Sequence, residues 1–85
     1  MITFTHTIAD KLGLHARPAG LLAKEAAKFT SKITLSTPNA KADPKKIITL
    51  LSLGAACGEE LTFTFEGDDE QAAKEAIEAF CKANL

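Results

Sequence analysis

The sequence predicts an open-faced two-layer α/β sandwich (α+β) with the element order βαββαβα. A four-stranded, mostly antiparallel sheet is expected to be covered on one face by three helices. Two observations lead to this prediction. Four segments alternate apolar and polar residues, as strands with one buried face do. Three other segments have the apolar spacing or the flanking residues of helices, and a sheet with one apolar face needs such helices to cover it.

The first half of the chain is predicted to form three strands and one helix. Residues 2–8 alternate as a half-buried strand does, and residues 10–13 have the composition of a turn. A helical period then runs over residues 16–29, with Pro18 in the first turn, where proline is tolerated. The apolar stripe of this helix consists of Ala19, Leu22, Ala23, Ala26 and Phe29. Ile33 and Leu35 mark a second strand, and residues 40–43 a short third strand that Pro44 ends.

The segment 47–53 is ambiguous, because its apolar run fits a strand or a helix by period alone. Pro44 before it and Gly54 after it favour a short helix that ends at the glycine. Residues 60–66 alternate most clearly of all and predict the fourth strand.

A long last helix is predicted after Gly67. Asp68 or Asp69 is expected to cap this helix, and Gln71 is placed for a capping box. The buried stripe of the helix is expected to consist of Ala73, Ala76, Ile77 and Phe80.

Length and composition limit the possible functions. The 85 residues are expected to form one domain, 1–85, which buries only about three-fifths of its unfolded surface and has no room for a deep substrate cavity. Ten basic and eleven acidic residues lack the positive excess of a nucleic-acid-binding protein. The chain has no apolar run of about twenty residues for membrane insertion, and its two cysteines lack metal-ligand spacing. We expect a cytoplasmic protein, because two such cysteines suit structural thiols in a reducing compartment. We also expect a monomer without metal or cofactor.

The charges are unevenly distributed along the chain. Residues 1–46 contain eight Lys or Arg and three acidic residues, whereas residues 47–85 contain two Lys and eight acidic residues. If the two halves contribute to different surfaces, one face can attract an acidic partner or a phosphate. The alternative is that these charges only solvate helix faces and loops.

Residues 13–19, with the sequence Gly-Leu-His-Ala-Arg-Pro-Ala, form the only dense group of chemically active residues. Gly13 permits a tight turn into the helix. His15 is expected at or just before the N-cap, where free backbone N–H groups and the helix dipole favour an anion. Arg17 adds a guanidinium group that fits phosphate oxygens. Together they suit a histidine that accepts a phosphoryl group. A surface histidine without a function is the alternative.

This signature resembles the active site of the phosphocarrier protein HPr family of the bacterial phosphoenolpyruvate-dependent phosphotransferase system. The likeness extends over the chain through Ser52-Leu53-Gly54, Gly58 and residues 66–69. It implies that enzyme I phosphorylates His15, and that His15 passes the group to enzyme IIA domains of sugar permeases. It also implies a phosphoryl group on Nδ1, near the backbone N–H groups of Ala16 and Arg17. Such a carrier is a substrate of other enzymes and not itself an enzyme.

Two positions depart from the family pattern. Lys46 stands just before the second helix, where regulated members have a serine that an ATP-dependent kinase phosphorylates, so no regulatory serine is expected there. Leu12 lacks the hydroxyl or amide that several members have three residues before the histidine. Because the nitrogen-regulatory branch shares the signature, the alternative function is a regulatory binding module whose partner affinity is switched by His15 phosphorylation. A histidine-dependent phosphatase is disfavoured, since no second acid, base or metal set accompanies His15.

A docking surface is predicted beside the signature. Segment 47–53 has too many apolar residues for one buried stripe, so we expect Leu50, Leu53 and one isoleucine to be buried, with Ile48 and Leu51 exposed. Gly20 is expected to let a partner approach the backbone closely. The predicted partner-binding residues are Gly20, Leu21, Lys24, Lys28, Ile47, Ile48 and Leu51, with Lys45 and Lys46 at the rim. The alternative is that the short helix is wedged into the core.

Overall fold

Four antiparallel strands and three helices make up the fold. The computed structural model describes residues 1–85. The strands pair in the order β1-β4-β2-β3, and every neighbouring pair is antiparallel. This confirms the predicted βαββαβα order and the open-faced sandwich. In chain order the elements are β1 (Ile2–Thr7), α1 (Ala16–Ala26), β2 (Lys32–Ser36), β3 (Lys41–Ala42), α2 (Ile47–Ser52), β4 (Glu60–Glu66) and α3 (Glu70–Asn84).

The core lies between the sheet and the helices. Along β4, Leu61, Phe63 and Phe65 are buried and alternate with more accessible polar residues. Leu22 of α1 and Ile77 of α3 are also fully buried. Seventeen buried hydrophobic residues form one cluster, and burying each leucine, isoleucine or phenylalanine among them contributes about 1.5–3 kcal/mol. This packing fixes where α1 begins, and hence where the residues around its N-terminus lie.

Two predicted elements were longer than the observed ones by two residues or more. The first helix ends at Ala26 and not at residue 29, because the N–H groups of Lys28 and Phe29 donate to Glu25 and Ala26 three residues back and tighten the chain into a turn. The third strand covers only Lys41–Ala42. Its next residue, Asp43, leaves the sheet, because its N–H donates to the hydroxyl of Thr49 at 3.1 Å.

The predicted capping box of α3 is wrong. Asp69 is the N-cap residue, but its carboxylate accepts hydrogen bonds from the N–H groups of Thr30 at 2.8 Å and Ser31 at 2.9 Å, and from the Ser31 hydroxyl. These bonds, the one from the Ser31 hydroxyl above all, lower the pKa of Asp69 to about 2. Gln71 instead donates to a side chain in the next turn, and the N–H of Gly67 donates to the Glu70 carboxylate at 3.1 Å. Asp69 therefore joins the start of α3 to the segment before β2.

The buried stripe of α3 differs in part from the prediction. Ala73 and Ile77 are buried as expected, whereas Ala76 and Phe80 are only half-buried. Cys81 takes the remaining core position and is fully buried. Burial raises the pKa of its thiol to about 12, so this cysteine is a packing residue. The other cysteine, Cys57, is exposed.

Candidate functional site

The loop between β1 and α1 is held by backbone contacts with residues 55–56. Gly13 has a φ of +69°, and a Cβ atom there would lie 2.5 Å from the carbonyl oxygen of Ala55 and 2.9 Å from Cα of Ala56. The N–H of Leu14 donates to the same Ala55 oxygen at 3.0 Å. Only glycine combines this left-handed backbone with so close an approach. The loop therefore delivers His15 to a fixed position at the start of α1.

His15 is the N-cap residue of α1, as the sequence predicts. Its backbone is extended, with φ of −105° and ψ of −176°, and its carbonyl accepts the Ala19 N–H at 3.0 Å. The imidazole is half-buried and makes no capping hydrogen bond. The N–H groups of Ala16 and Arg17 consequently have no protein partner, and Pro18 has no N–H at all. The ring thus stands next to two free donors at the positive end of a helix dipole.

Arg17 is exposed and forms no ion pair with any carboxylate of the chain. It lines a hollow of about 380 Å³ together with His15. The acidic residue of the hollow, Asp10, is directed at its own loop, because its carboxylate accepts the Leu12 N–H at 2.9 Å. The guanidinium donors of Arg17 are therefore free for an anion on the imidazole. The lining of the hollow is completed by Leu12, Pro18, Leu21, Ala83 and Asn84.

Sequence reasoning missed the contribution of α3 to this hollow. Ala83 and Asn84 lie 68 and 69 positions after His15 in the chain, yet both line the same cavity. They belong to no motif, and an alanine and an asparagine near a helix end are common. Only the packing of α1 against α3 brings them there, so the local pattern contains no indication of their position.

The predicted docking surface is divided by α1 into two sides. Gly20 faces α2, because a Cβ atom at this position would lie 3.5 Å from Cδ1 of Ile47. Gly20 thus contributes to helix packing. Leu21 and Lys24 face α3 and line a second hollow with Phe80. That hollow measures about 500 Å³ and is completed by Glu25, Lys28 and Asn84.

The α2 side presents an exposed apolar patch, which consists of Ile47, Ile48 and Leu51. Their exposed fractions are 37%, 73% and 42%. Leu50 is fully buried as predicted, and Leu53 is only half-buried. The prediction that one isoleucine would be buried is wrong, because both isoleucines are exposed. A helix of six residues makes fewer than two turns, and it can turn only a narrow face towards the core. The alternative of a fully wedged helix is excluded.

Neither a metal site nor a membrane-spanning helix is formed by these residues. No group of three or more His, Cys, Asp or Glu side chains lies close enough to hold a metal ion. The second histidine, His6, lies on β1 and stacks on Phe4 with 6.4 Å between ring centroids. No helix has both the length and the apolar character needed to cross a membrane.

The site combines a half-buried histidine, free helix-terminal amides and an unpaired arginine. This combination is typical of a phosphate-handling protein with a histidine nucleophile. Comparison with known proteins agrees with this class. Residues 2–83 match the family described as "PTS HPr component phosphorylation site". The chain is 42% identical to the phosphocarrier protein HPr of Mycoplasma capricolum over 77 residues, which are 91% of this chain and 86% of that protein.

Two further relatives support the same family. The HPr-like protein Crh of Bacillus subtilis is 43% identical over 75 residues, with 88% of each chain covered. The crystal structure of HPr-C-His from Thermoanaerobacter tengcongensis superposes with a TM-score of 0.92 at 38% identity, with 98% of this chain and 93% of that chain covered. The chain therefore belongs to the HPr family of the phosphotransferase system. The relatives are phosphocarrier proteins of this family, so the chain is a phosphocarrier of the phosphotransferase system and not a catalyst.

Proposed function

We propose that His15 is the residue that accepts and donates the phosphoryl group. The observation that supports this most strongly is the N-cap geometry, in which the imidazole leaves the N–H groups of Ala16 and Arg17 without partners. A phosphoryl group bound to the ring is an anion beside these donors and beside the positive end of the helix dipole. His15 is half-buried, so a donor or acceptor protein can reach the ring.

The transfer is a displacement at phosphorus. In the uptake step, the neutral imidazole attacks the phosphorus held by enzyme I, the new N–P bond forms as the bond to the donor breaks, and the electron pair of that bond leaves with the donor. Arg17 and the two free N–H groups stabilise the equatorial oxygens. Delivery to enzyme IIA is the same displacement with the imidazole as leaving group. By family resemblance the reacting nitrogen is Nδ1.

Enzyme I and enzyme IIA are the proposed partners, and both use overlapping surfaces because both must reach His15. The apolar patch of Ile47, Ile48 and Leu51 supplies hydrophobic contact area beside the site. Lys24 and Lys46 have no acidic partner within the chain. This combination favours transient binding to partners with acidic surfaces. The carrier is proposed to act as a monomer in the cytoplasm.

Loading and unloading of the group distinguish this function from its alternatives. The protein is incubated with enzyme I and phosphoenolpyruvate, and its intact mass is followed before and after enzyme IIA is added. A carrier gains one phosphoryl group and loses it only to enzyme IIA. A regulatory binding module keeps the group in the presence of enzyme IIA, and a phosphatase releases inorganic phosphate repeatedly. Either of these last two outcomes would contradict the proposal.

A further inference from the structure

A second concave site lies at the opposite edge of the sheet from β1, where β2, β3 and the start of α2 meet. Its volume of about 630 Å³ is greater than that of the hollow beside His15, and the two sites share no residue. We call it the lysine cleft, because three lysines contribute to its wall. The polar residues of its lining are Lys32, Thr34, Lys41, Asp43, Lys45 and Thr49.

The three ammonium groups of the lysine cleft are not neutralised within the protein. Lys32, Lys41 and Lys45 form no ion pair, whereas other lysines of the chain do pair with carboxylates on their own helices. The one acidic residue of the lining, Asp43, uses its carboxylate to accept the backbone N–H of Lys45 at 3.0 Å. The lining therefore has an excess of two positive charges.

Part of the lysine cleft is already ordered for binding. Lys45 is half-buried, and its Nζ donates to the carbonyl oxygen of Ser31 at 2.8 Å, which holds the ammonium group at the wall. The hydroxyl of Thr49 is engaged with the backbone of Asp43. The hydroxyl of Thr34 has no protein partner and is available to a ligand. A ligand here meets three cations and one free hydroxyl group.

We propose that the lysine cleft binds a small anion with two phosphate groups. Lys32 is the first residue of β2, whereas Lys41 of β3 pairs with Ser36, the last residue of β2. Their backbone positions are thus about four residues, or about 13 Å, apart along the strand direction. Because lysine side chains are long and flexible, the two ammonium groups can reach inwards from these positions, and two linked phosphate groups give each of them a partner. Lysine binds phosphate as a point charge and does not require a fixed geometry.

The test is a titration of ¹⁵N-labelled protein, followed by amide chemical shifts at constant ionic strength. Inorganic pyrophosphate is the probe in one arm and glucose 1,6-bisphosphate in the other, so the arms distinguish an inorganic from a sugar-derived source. We expect saturable shifts at Lys32, Thr34, Lys41 and Thr49 in at least one arm. No saturable binding in either arm, or shifts confined to residues 15–17, would overturn the proposal.

A matched pair of variants tests which lysines are responsible. Lys41→Gln removes one charge from the lysine cleft, and Lys11→Gln removes one from an exposed, unpaired lysine outside it. Loss of one charge-assisted contact is expected to weaken binding by about three- to tenfold in Lys41→Gln and not in Lys11→Gln. Equal affinities in the two variants would show that the probe binds through net charge alone and would overturn the proposal. Because both side chains are exposed, both variants are expected to fold normally.

Discussion

Replacing Gly13 by alanine tests whether the loop geometry holds His15 in place. The added Cβ would lie 2.5 Å from the Ala55 carbonyl oxygen and 2.9 Å from Cα of Ala56. Both contacts are with backbone atoms, so no side-chain rotation can relieve them. The variant must move either residues 55–56 or the loop that leads into α1. Either movement disturbs the hydrogen bond from the Leu14 N–H to Ala55.

The expected size of the effect has two parts. A residue other than glycine with a left-handed backbone costs about 1–2 kcal/mol, and overpacking adds about 1–3 kcal/mol. Gly13→Ala is therefore expected to lower the free energy of unfolding by about 2–5 kcal/mol. Gly54→Ala is the matched control. Gly54 has a φ of +60°, but a Cβ atom added there would have no neighbour within 4 Å, so only the first cost of about 1–2 kcal/mol applies.

Urea unfolding of the two variants measures this difference. The rate at which enzyme I phosphorylates His15 is measured without urea, at a temperature where both variants are folded. We expect Gly13→Ala to be both less stable and slower to be phosphorylated, because its loop no longer presents the imidazole correctly. Equal stability losses in the two variants would refute the role of the contact with Ala55. A strongly destabilised Gly13→Ala with the normal phosphorylation rate would refute the link between loop and site.

Three further substitutions test the docking patch, the phosphate site and the fold. Ile48→Glu is expected to weaken binding to both enzyme I and enzyme IIA by about 1–2 kcal/mol or more. The melting temperature should change little, because this side chain is 73% exposed. A large fall in melting temperature with normal binding would place Ile48 in the core. Arg17→Lys keeps the charge and loses the planar fork, so phosphoryl transfer should slow while stability stays the same; unchanged transfer kinetics would remove Arg17 from the site. Asp69→Asn tests the carboxylate whose pKa falls from 3.8 to about 2 on folding. Because the folded pKa is lower than the unfolded one, the ionised group stabilises the fold above about pH 4, and this stability is lost as the pH falls towards 2. The variant should be less stable at pH 7 and lose less stability between pH 4 and pH 2; the same pH profile as the wild type would contradict this.

The sheet and the position of His15 could be predicted because they depend on local patterns. The alternation in residues 60–66 reflects burial of one strand face, and β4 has these limits in the structure. The glycine, histidine and proline of residues 13–19 each constrain the backbone at their own position. The role of His15 as N-cap residue follows from these constraints, whereas its place in space also depends on the contacts of Gly13 and Leu14 with Ala55.

The remaining features depend on contacts between residues far apart in the chain. Asp69 bonds to Ser31, 38 positions earlier, and this contact takes the place of the predicted capping box. Neither residue has a sequence pattern that indicates the other. The same holds for Asn84 in the hollow beside His15 and for the lysine cleft, whose cations come from three different segments. Lysines scattered in sequence can be assigned to one site only after the strands have been paired.

Locating the phosphoryl group on the protein tests whether His15 is its acceptor. The protein, labelled with ¹⁵N-histidine, is phosphorylated by enzyme I and phosphoenolpyruvate and observed by ³¹P and ¹⁵N NMR, with His15→Ala treated in parallel. We predict one phosphoryl group on Nδ1 of His15, stable in base and labile in acid, and no phosphorylation of His15→Ala. Phosphorylation that persists in His15→Ala, or that resides on His6 in the wild type, would contradict the role proposed for His15.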